Sequence, residues 1–386
     1  MSGSPEPGSP EPGLAEPGSP EPGLAEAGSG VVPAEPNSEA DAFLHVDGLH
    51  VSFDTDDGVV RAVDGLSLRL DRGRTLGVVG ESGSGKTVMS LAILGLVGGR
   101  RTSTSGRIWL DGEELVGAKP DRVRRLRGGR MAMIFQDPLS SLHPYFTVGS
   151  QLAEAYRAHH DAGRREAWDR SVEMLDRVGI PQPRERARDY PHQFSGGMRQ
   201  RVMIAMALIN DPALLIADEP TTALDVTVQA EILDLMRDLQ REFGSAILLI
   251  THDLGVVAEV ADDVLVMYAG QAMEYGSAGD VFSQPQHPYT WGLLTSVTRL
   301  DRARRARLPS IPGTPPSLIS VPAGCPFRPR CPYEPRSRPA ISEARPELGI
   351  VARAGVGMEG PEHRVACHLD ADERRRLFRD EVAPLL

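Results

Sequence analysis

The run Gly80-Glu81-Ser82-Gly83-Ser84-Gly85-Lys86-Thr87 sets two glycines five apart ahead of a lysine and a threonine. Glycines let the backbone curl into a nest whose N–H groups converge on phosphate oxygens, and a helix starting there adds the partial positive charge of its N-terminus. Lys86 would reach the β- and γ-phosphates, and the Thr87 hydroxyl would ligate magnesium. Lysine is rare in this chain: of 42 basic residues only Lys86 and Lys119 are not arginine. A flexible point charge, kept where the chain otherwise uses the planar guanidinium, suits a site that bends around phosphates.

Further residues could carry chemistry. Gln136 follows the apolar run Met131-Ala132-Met133-Ile134-Phe135 and precedes Asp137-Pro138; a neutral amide there can ligate magnesium or hold a water without adding charge. Ser195-Gly196-Gly197 precedes an apolar-periodic stretch reaching about Ile209, a second capped helix start open to phosphate. A single nucleotide site needs only one. Asp218-Glu219 closes an apolar run from Ala213. Adjacent carboxylates on a strand alternate faces, so Asp218 can hold magnesium through water while Glu219 polarises an attacking water. His252 follows the apolar run Ala246 to Thr251, and the C-terminal end of a strand in an α/β sheet is the ligand side. Phe53, an aromatic at a strand end, leaves two readings open, stacking on an adenine ring or packing in the core.

Elements must hold these residues in place. Thr75–Val79 reads as a buried strand before the glycine loop and Val88–Leu94 as a helix after it. Leu44-His45-Val46, Leu49 to Phe53, and Val59 to Leu70 alternate and predict antiparallel strands leading into the loop. Residues 147–180 have helical spacing and many charges, the pattern of a largely helical insertion with a solvated face. Pro212 ends the helix after Ser195, and Thr222-Ala223-Leu224-Asp225-Val226 caps another that runs to about Phe243.

The formal charge is −11, yet residues 1–41 hold eight acids and no Lys or Arg, so the remaining body sets 45 acids against 42 bases. A near-neutral body without a basic block argues against nucleic acid as a partner. Residues 4–28 are five near-repeats of a pentad rich in Pro and Gly, read as disordered, either a spacer or docking tail or a dispensable extension. No apolar run approaches the ~20 residues that span a bilayer, and no signal peptide is evident. The expected location is therefore cytoplasmic, with any membrane role exercised through a partner.

In this order, the glycine loop, glutamine turn, Ser-Gly-Gly segment, Asp-Glu pair, Ala223-Leu224-Asp225 turn and His252 resemble the nucleotide-binding subunit of an ABC transporter. The resemblance implies an α/β P-loop ATPase core over residues 42–300, with a mostly parallel sheet, an antiparallel β subdomain and a largely α-helical subdomain at 137–210. It implies ATP and Mg2+ as ligands. Gly80 to Thr87, Gln136, Asp218, Glu219 and His252 would serve one nucleotide: Lys86 on the phosphates, Thr87, Gln136 and Asp218 around magnesium, Glu219 on the water and His252 sensing the γ-phosphate. Ser195, Gly196 and Gly197 would close over the nucleotide of the facing cassette, so two cassettes, identical or homologous, pair head to tail.

Phe135-Gln136-Asp137-Pro138-Leu139-Ser140-Ser141-Leu142, Tyr190-Pro191-His192-Gln193, Met198-Arg199-Gln200-Arg201 and Thr221-Thr222-Ala223-Leu224-Asp225-Val226-Thr227 resemble dipeptide and oligopeptide importers, with nickel importers close by. That branch implies two membrane permeases, a solute-binding protein engaged indirectly, and a peripheral place on the cytoplasmic face of the plasma membrane. His287-Pro288-Tyr289-Thr290, Ile311-Pro312-Gly313, Gly324 to Cys331 and Val365 to His368 resemble its C-terminal extension, here residues 301–386. Many relatives carry four cysteines there, able to hold an iron–sulfur cluster. This chain has Cys325, Cys331 and Cys367, with Ser337-Arg338 where the fourth is expected. Three readings stay open: no metal, a modified cluster, or zinc completed by His363 or His368.

Overall fold

Short apolar runs form the parallel heart of an eight-stranded sheet in the computed structural model, which describes residues 42–136, 141–221, 225–296, 310–334, 343–351 and 362–386. The pentad tail, the Asp137-Pro138 turn, Thr222-Ala223-Leu224 and Ser337-Arg338 lie outside the described residues. Strands β1 (Leu44–Thr55) and β2 (Gly58–Leu70) come first, then β3 (Thr75–Val79), β4 (Thr102–Leu110), β5 (Glu113–Glu114), β6 (Met131–Ile134), β7 (Leu214–Asp218), β8 (Ala246–Ile250), β9 (Asp263–Tyr268) and β10 (Gln271–Ser277). The short β11 (Gly349–Ile350) and β12 (Arg364–Val365) follow. The large sheet runs β11-β12-β10-β9-β3-β8-β7-β6. From β9 to β6 the pairings are parallel, and the remainder are antiparallel.

Every residue of β3, β7, β8 and β9 is buried. Parallel strands covered on both faces read as continuous rather than alternating apolar runs, which is why these segments stand out in the sequence. Their register brings one set of ends into line: Ile134 pairs with Ala217, Asp218 with Ile250, and Val78 with the same Ile250. The loops after β6, β7, β8 and β3 therefore open side by side.

The second sheet, β2-β1-β4-β5, is antiparallel. Its inward residues, among them Val46, Leu49, Leu66 and Ile108, share a core with Leu76, Met89, Ile216 and Leu248. Phe53 is half-buried and packs against this core. Helices Val148–Arg157, Arg164–Arg177 and Gly196–Leu208 supply the expected helical segment. Leu152, Met174, Leu175, Val202 and Ile204 pack there with Ile232 and Leu249.

The C-terminal extension lies on the core. Cys325 and Phe327 share a cluster with Val79, Val264, Val266 and Tyr289, and β12 pairs with β10. A fully buried carboxylate, Glu274, ties this region together. It accepts hydrogen bonds from the Gln286 and His287 N–H groups at 2.7 and 2.9 Å and from the Thr290 hydroxyl at 2.6 Å. His363 Nε2 lies 2.8 Å from Oε1, the oxygen that accepts from Gln286. Glu274 thus serves the start of helix Pro288–Ser296 as a cap borrowed from a neighbouring strand.

Among the described residues, no helix is long and apolar enough to cross a membrane.

Candidate functional site

The glycine loop leaves β3 and enters helix Lys86–Ile93. Two of its glycines are required by close backbone approach. A Cβ on Gly80 would meet the Met267 carbonyl oxygen at 2.2 Å, and one on Gly85 would meet that of Ala62 at 2.1 Å, both at positive φ. The loop is therefore pressed between β2 and the end of β9. Gly270 N–H donates to the Ser84 carbonyl at 3.0 Å and holds it there.

Lys86 is buried and folds back over the loop, donating to the carbonyls of Gly80 at 2.7 Å and Glu81 at 3.0 Å and to Ser84 Oγ at 3.3 Å. Burial pushes its ammonium below the usual lysine range, against the pull of Glu219, Asp218 and Glu81. Asp218, at the end of β7, shows the converse. Burial raises its carboxyl and the Glu219 charge adds to that, while a hydrogen bond with Thr87 and the charge of Lys86 oppose it. A polyanion beside Lys86 and a divalent cation beside Asp218 would each favour the charged form that burial disfavours. Thr87 is exposed and bonded to Asp218, so the donors expected for MgATP are of the right kind and on the right side.

Glu219 follows immediately at φ 49°. A non-glycine residue there is strained, and the strain is held by its N–H donating to the Ile250 carbonyl at 2.8 Å. The turn aims its side chain at both neighbouring loops. Gln136 Nε2 donates to one carboxylate oxygen at 2.9 Å, and His252 Nδ1 lies 3.1 Å from the other. Residues from the ends of three adjacent strands thus converge on one carboxylate. Gln136 and His252 are exposed, so the cluster opens outward.

Ser195 caps helix Gly196–Leu208, accepting from the Met198 N–H at 3.3 Å. Ser195 and Gly196 are exposed, and a Cβ on Gly196 would meet nothing within 4 Å. Gly197 faces Val228, which a Cβ would meet at 3.0 Å. No contact joins Ser195 to the Lys86 loop among the hydrogen bonds of the described residues. One link does reach the β7 turn: buried Gln200 of this helix donates to the Pro220 carbonyl.

The cysteines give a different outcome. Cys325, Cys331 and Cys367 line one small cavity with His287 and His368, yet no group of three or more His, Cys, Asp or Glu among the described residues is arranged to hold a metal ion. His363 Nε2 lies 2.8 Å from Glu274 and His368 Nε2 lies 2.8 Å from the Ala344 carbonyl. Burial pushes the Cys325 thiol up to about 12 and that of Cys331 up to about 11.

Residues that spacing alone did not single out for the loop are Tyr289 and Arg330. Glu81 N–H donates to the Tyr289 hydroxyl at 2.8 Å, and the Arg330 guanidinium donates to both Glu81 carboxylate oxygens. Both residues stand in segments whose only signal was likeness to the C-terminal extension of a family.

Family models for the ABC transporter match residues 63–222, and for the oligopeptide/dipeptide transporter C-terminal region residues 273–336. The chain is 52% identical over 315 residues to the oligopeptide transport ATP-binding protein OppD of Escherichia coli, covering 80% of this chain and 92% of that protein. It is 54% identical over 290 residues to the dipeptide transport ATP-binding protein DppD of Bacillus subtilis, covering 75% and 86%. A bacterial ABC transporter cassette solved as a dimer shares the fold at a TM-score of 0.55 and 24% identity, over 61% of this chain and 98% of that one. CbiO1 of Clostridium perfringens, part of a transporter complex, aligns at 0.54 and 28%, over 63% and 92%.

Proposed function

Because the chain belongs to the ABC transporter family, in its branch of oligopeptide and dipeptide transport ATP-binding proteins, we propose that it hydrolyses MgATP at sites shared with a facing cassette and thereby drives peptide import through separate permeases. It is an ATPase subunit by family. The observation that carries the mechanism is the hydrogen-bonded line Gln136, Glu219, His252 beside the Lys86 loop.

Phosphoryl transfer to water demands positioning and charge compensation rather than covalent help. The loop amides and Lys86 take the β- and γ-phosphates. Glu219 accepts a proton from the attacking water, its two oxygens oriented by Gln136 and His252, and the exposed His252 ring is placed to register the γ-phosphate. Magnesium, held by Thr87, Gln136 and Asp218, would offset the negative charge that develops as the phosphoryl group leaves. Ser195 and the Gly196 and Gly197 amides, being exposed and apart from Lys86, would close over the nucleotide of the second cassette.

A cleft of about 560 Å³ between the sheet and the helical segment suits a permease segment. Leu94, Leu96, Met131, Phe135, Met203 and Met206 line it. Phe135 is 43% exposed and adjoins Gln136, so an apolar segment seated there would press on the residue that orients Glu219. Such docking would keep the chain on the cytoplasmic face of the membrane.

The test is reconstitution in lipid vesicles with the permeases and solute-binding protein, following uptake of a labelled tripeptide. MgATP-dependent uptake that stops with Glu219→Gln supports the reading. Uptake indifferent to MgATP, or hydrolysis without any peptide response, would sink it.

A further inference from the structure

Glu81 is an oddity in a phosphate loop, since its carboxylate carries the wrong charge for a polyanionic ligand. The structure accounts for it from far along the chain. Arg330, buried, donates Nη1 to Glu81 Oε2 and Nη2 to Glu81 Oε1, the latter at 3.0 Å. Its other donors are also placed: Nε on the Pro312 carbonyl at 2.8 Å, Nη1 on the Tyr268 hydroxyl at 3.1 Å and Nη2 on the Ile311 carbonyl at 3.3 Å. All five N–H groups of the guanidinium are engaged, a pattern lysine cannot reproduce. The backbone of Glu81 is held as well, its N–H by Tyr289 and its carbonyl by Lys86. The rings of Tyr268, Tyr289 and Phe327 pack against one another behind this contact.

We propose that Arg330 is a positioning residue for the phosphate loop: it neutralises Glu81, fixes that carboxylate against the C-terminal extension, and with Tyr289 sets the loop turn on which Lys86 rests. The inference depends on the reading of Gly80 to Thr87 as the nucleotide site. It gives the extension a part in ATP binding through a single ion pair. Without Arg330, the Glu81 charge would stand uncompensated beside the β- and γ-phosphates.

The test uses the full chain in its assembly, with MgATP as the probe, and compares Arg330→Gln, Glu81→Gln, the double variant, Tyr289→Phe and Lys86→Ala. Arg330→Gln should raise KM for ATP about tenfold or more with kcat little changed. Adding Glu81→Gln should bring KM back to within about threefold of the parent, because the stranded charge is gone while the arginine is still missing. A purely structural staple would not be rescued in this way. Tyr289→Phe, which leaves both charges, should raise KM about threefold and keeps the idea testable should Arg330→Gln fold poorly. An unchanged KM in both, or a rise that Glu81→Gln does not relieve, overturns the inference. A parent that binds no MgATP, or a Lys86→Ala variant that binds it normally, would instead sink the nucleotide-site reading.

Discussion

Burial moves Lys86 and Asp218 in opposite directions, lowering the ammonium and raising the carboxyl from their usual ranges. Removing Lys86 with alanine takes away the cation that the loop folds around, so MgATP affinity should fall at least tenfold by titration calorimetry; an affinity unchanged within twofold would refute the assignment. A second residue-scale prediction concerns Asp263. Burial pushes its carboxyl from 3.8 up to about 6, with the Arg74 charge opposing. The folded chain therefore holds that proton more tightly than the unfolded chain between pH 4 and 6. Stability contributed there is present at low pH and is lost as pH rises through this window. Asp263→Asn should flatten that slope and gain up to about 2 kcal/mol over the parent at pH 7 in denaturant unfolding; an unaltered slope would contradict it. Lys86, Asp218, Glu219 and His252 were legible in the sequence because each sits within a few residues of an apolar run that announces a strand. Arg330 was not, since its partner Glu81 lies 249 positions away and nothing local marks a long-range ion pair.

At the scale of elements, parallel strands with continuous burial explain why the sheet could be read in advance, and alternation explains the antiparallel strands at residues 44–70. The packing of the extension could not be foreseen, because its residues contribute single anchors rather than periodic faces. Glu274 is one such anchor. Glu274→Ala would leave two buried N–H groups, a hydroxyl and His363 without their acceptor, costing about 3 kcal/mol; a loss under about 1 kcal/mol in denaturant unfolding would show that the donors find water instead. Helix Gly196–Leu208 makes a different demand. Ser195→Arg leaves the Lys86 loop untouched, so nucleotide affinity of the separate chain should stay within about twofold. Hydrolysis by the paired cassettes should fall to background, as a long side chain enters the closed interface. Equal loss of affinity would mean that Ser195 serves its own chain's nucleotide.

At the scale of the whole molecule, the single chain leaves two surfaces open: the strand ends bearing Gln136, Glu219 and His252, and the exposed start at Ser195 and Gly196. Neither completes the other within the chain among the described contacts, so under the proposed mechanism a second cassette would supply what each lacks. ATP held between them would make association depend on nucleotide, and hydrolysis would reverse it. The most direct measurement is sedimentation of the Glu219→Gln chain, alone and mixed with the second cassette of its transporter, in MgATP and in MgADP. The account predicts a two-cassette species in MgATP that hydrolyses no ATP, absent in MgADP and abolished by adding Ser195→Arg to both cassettes at the corresponding position. Single cassettes in MgATP under both conditions, with hydrolysis at the parent rate, would contradict it.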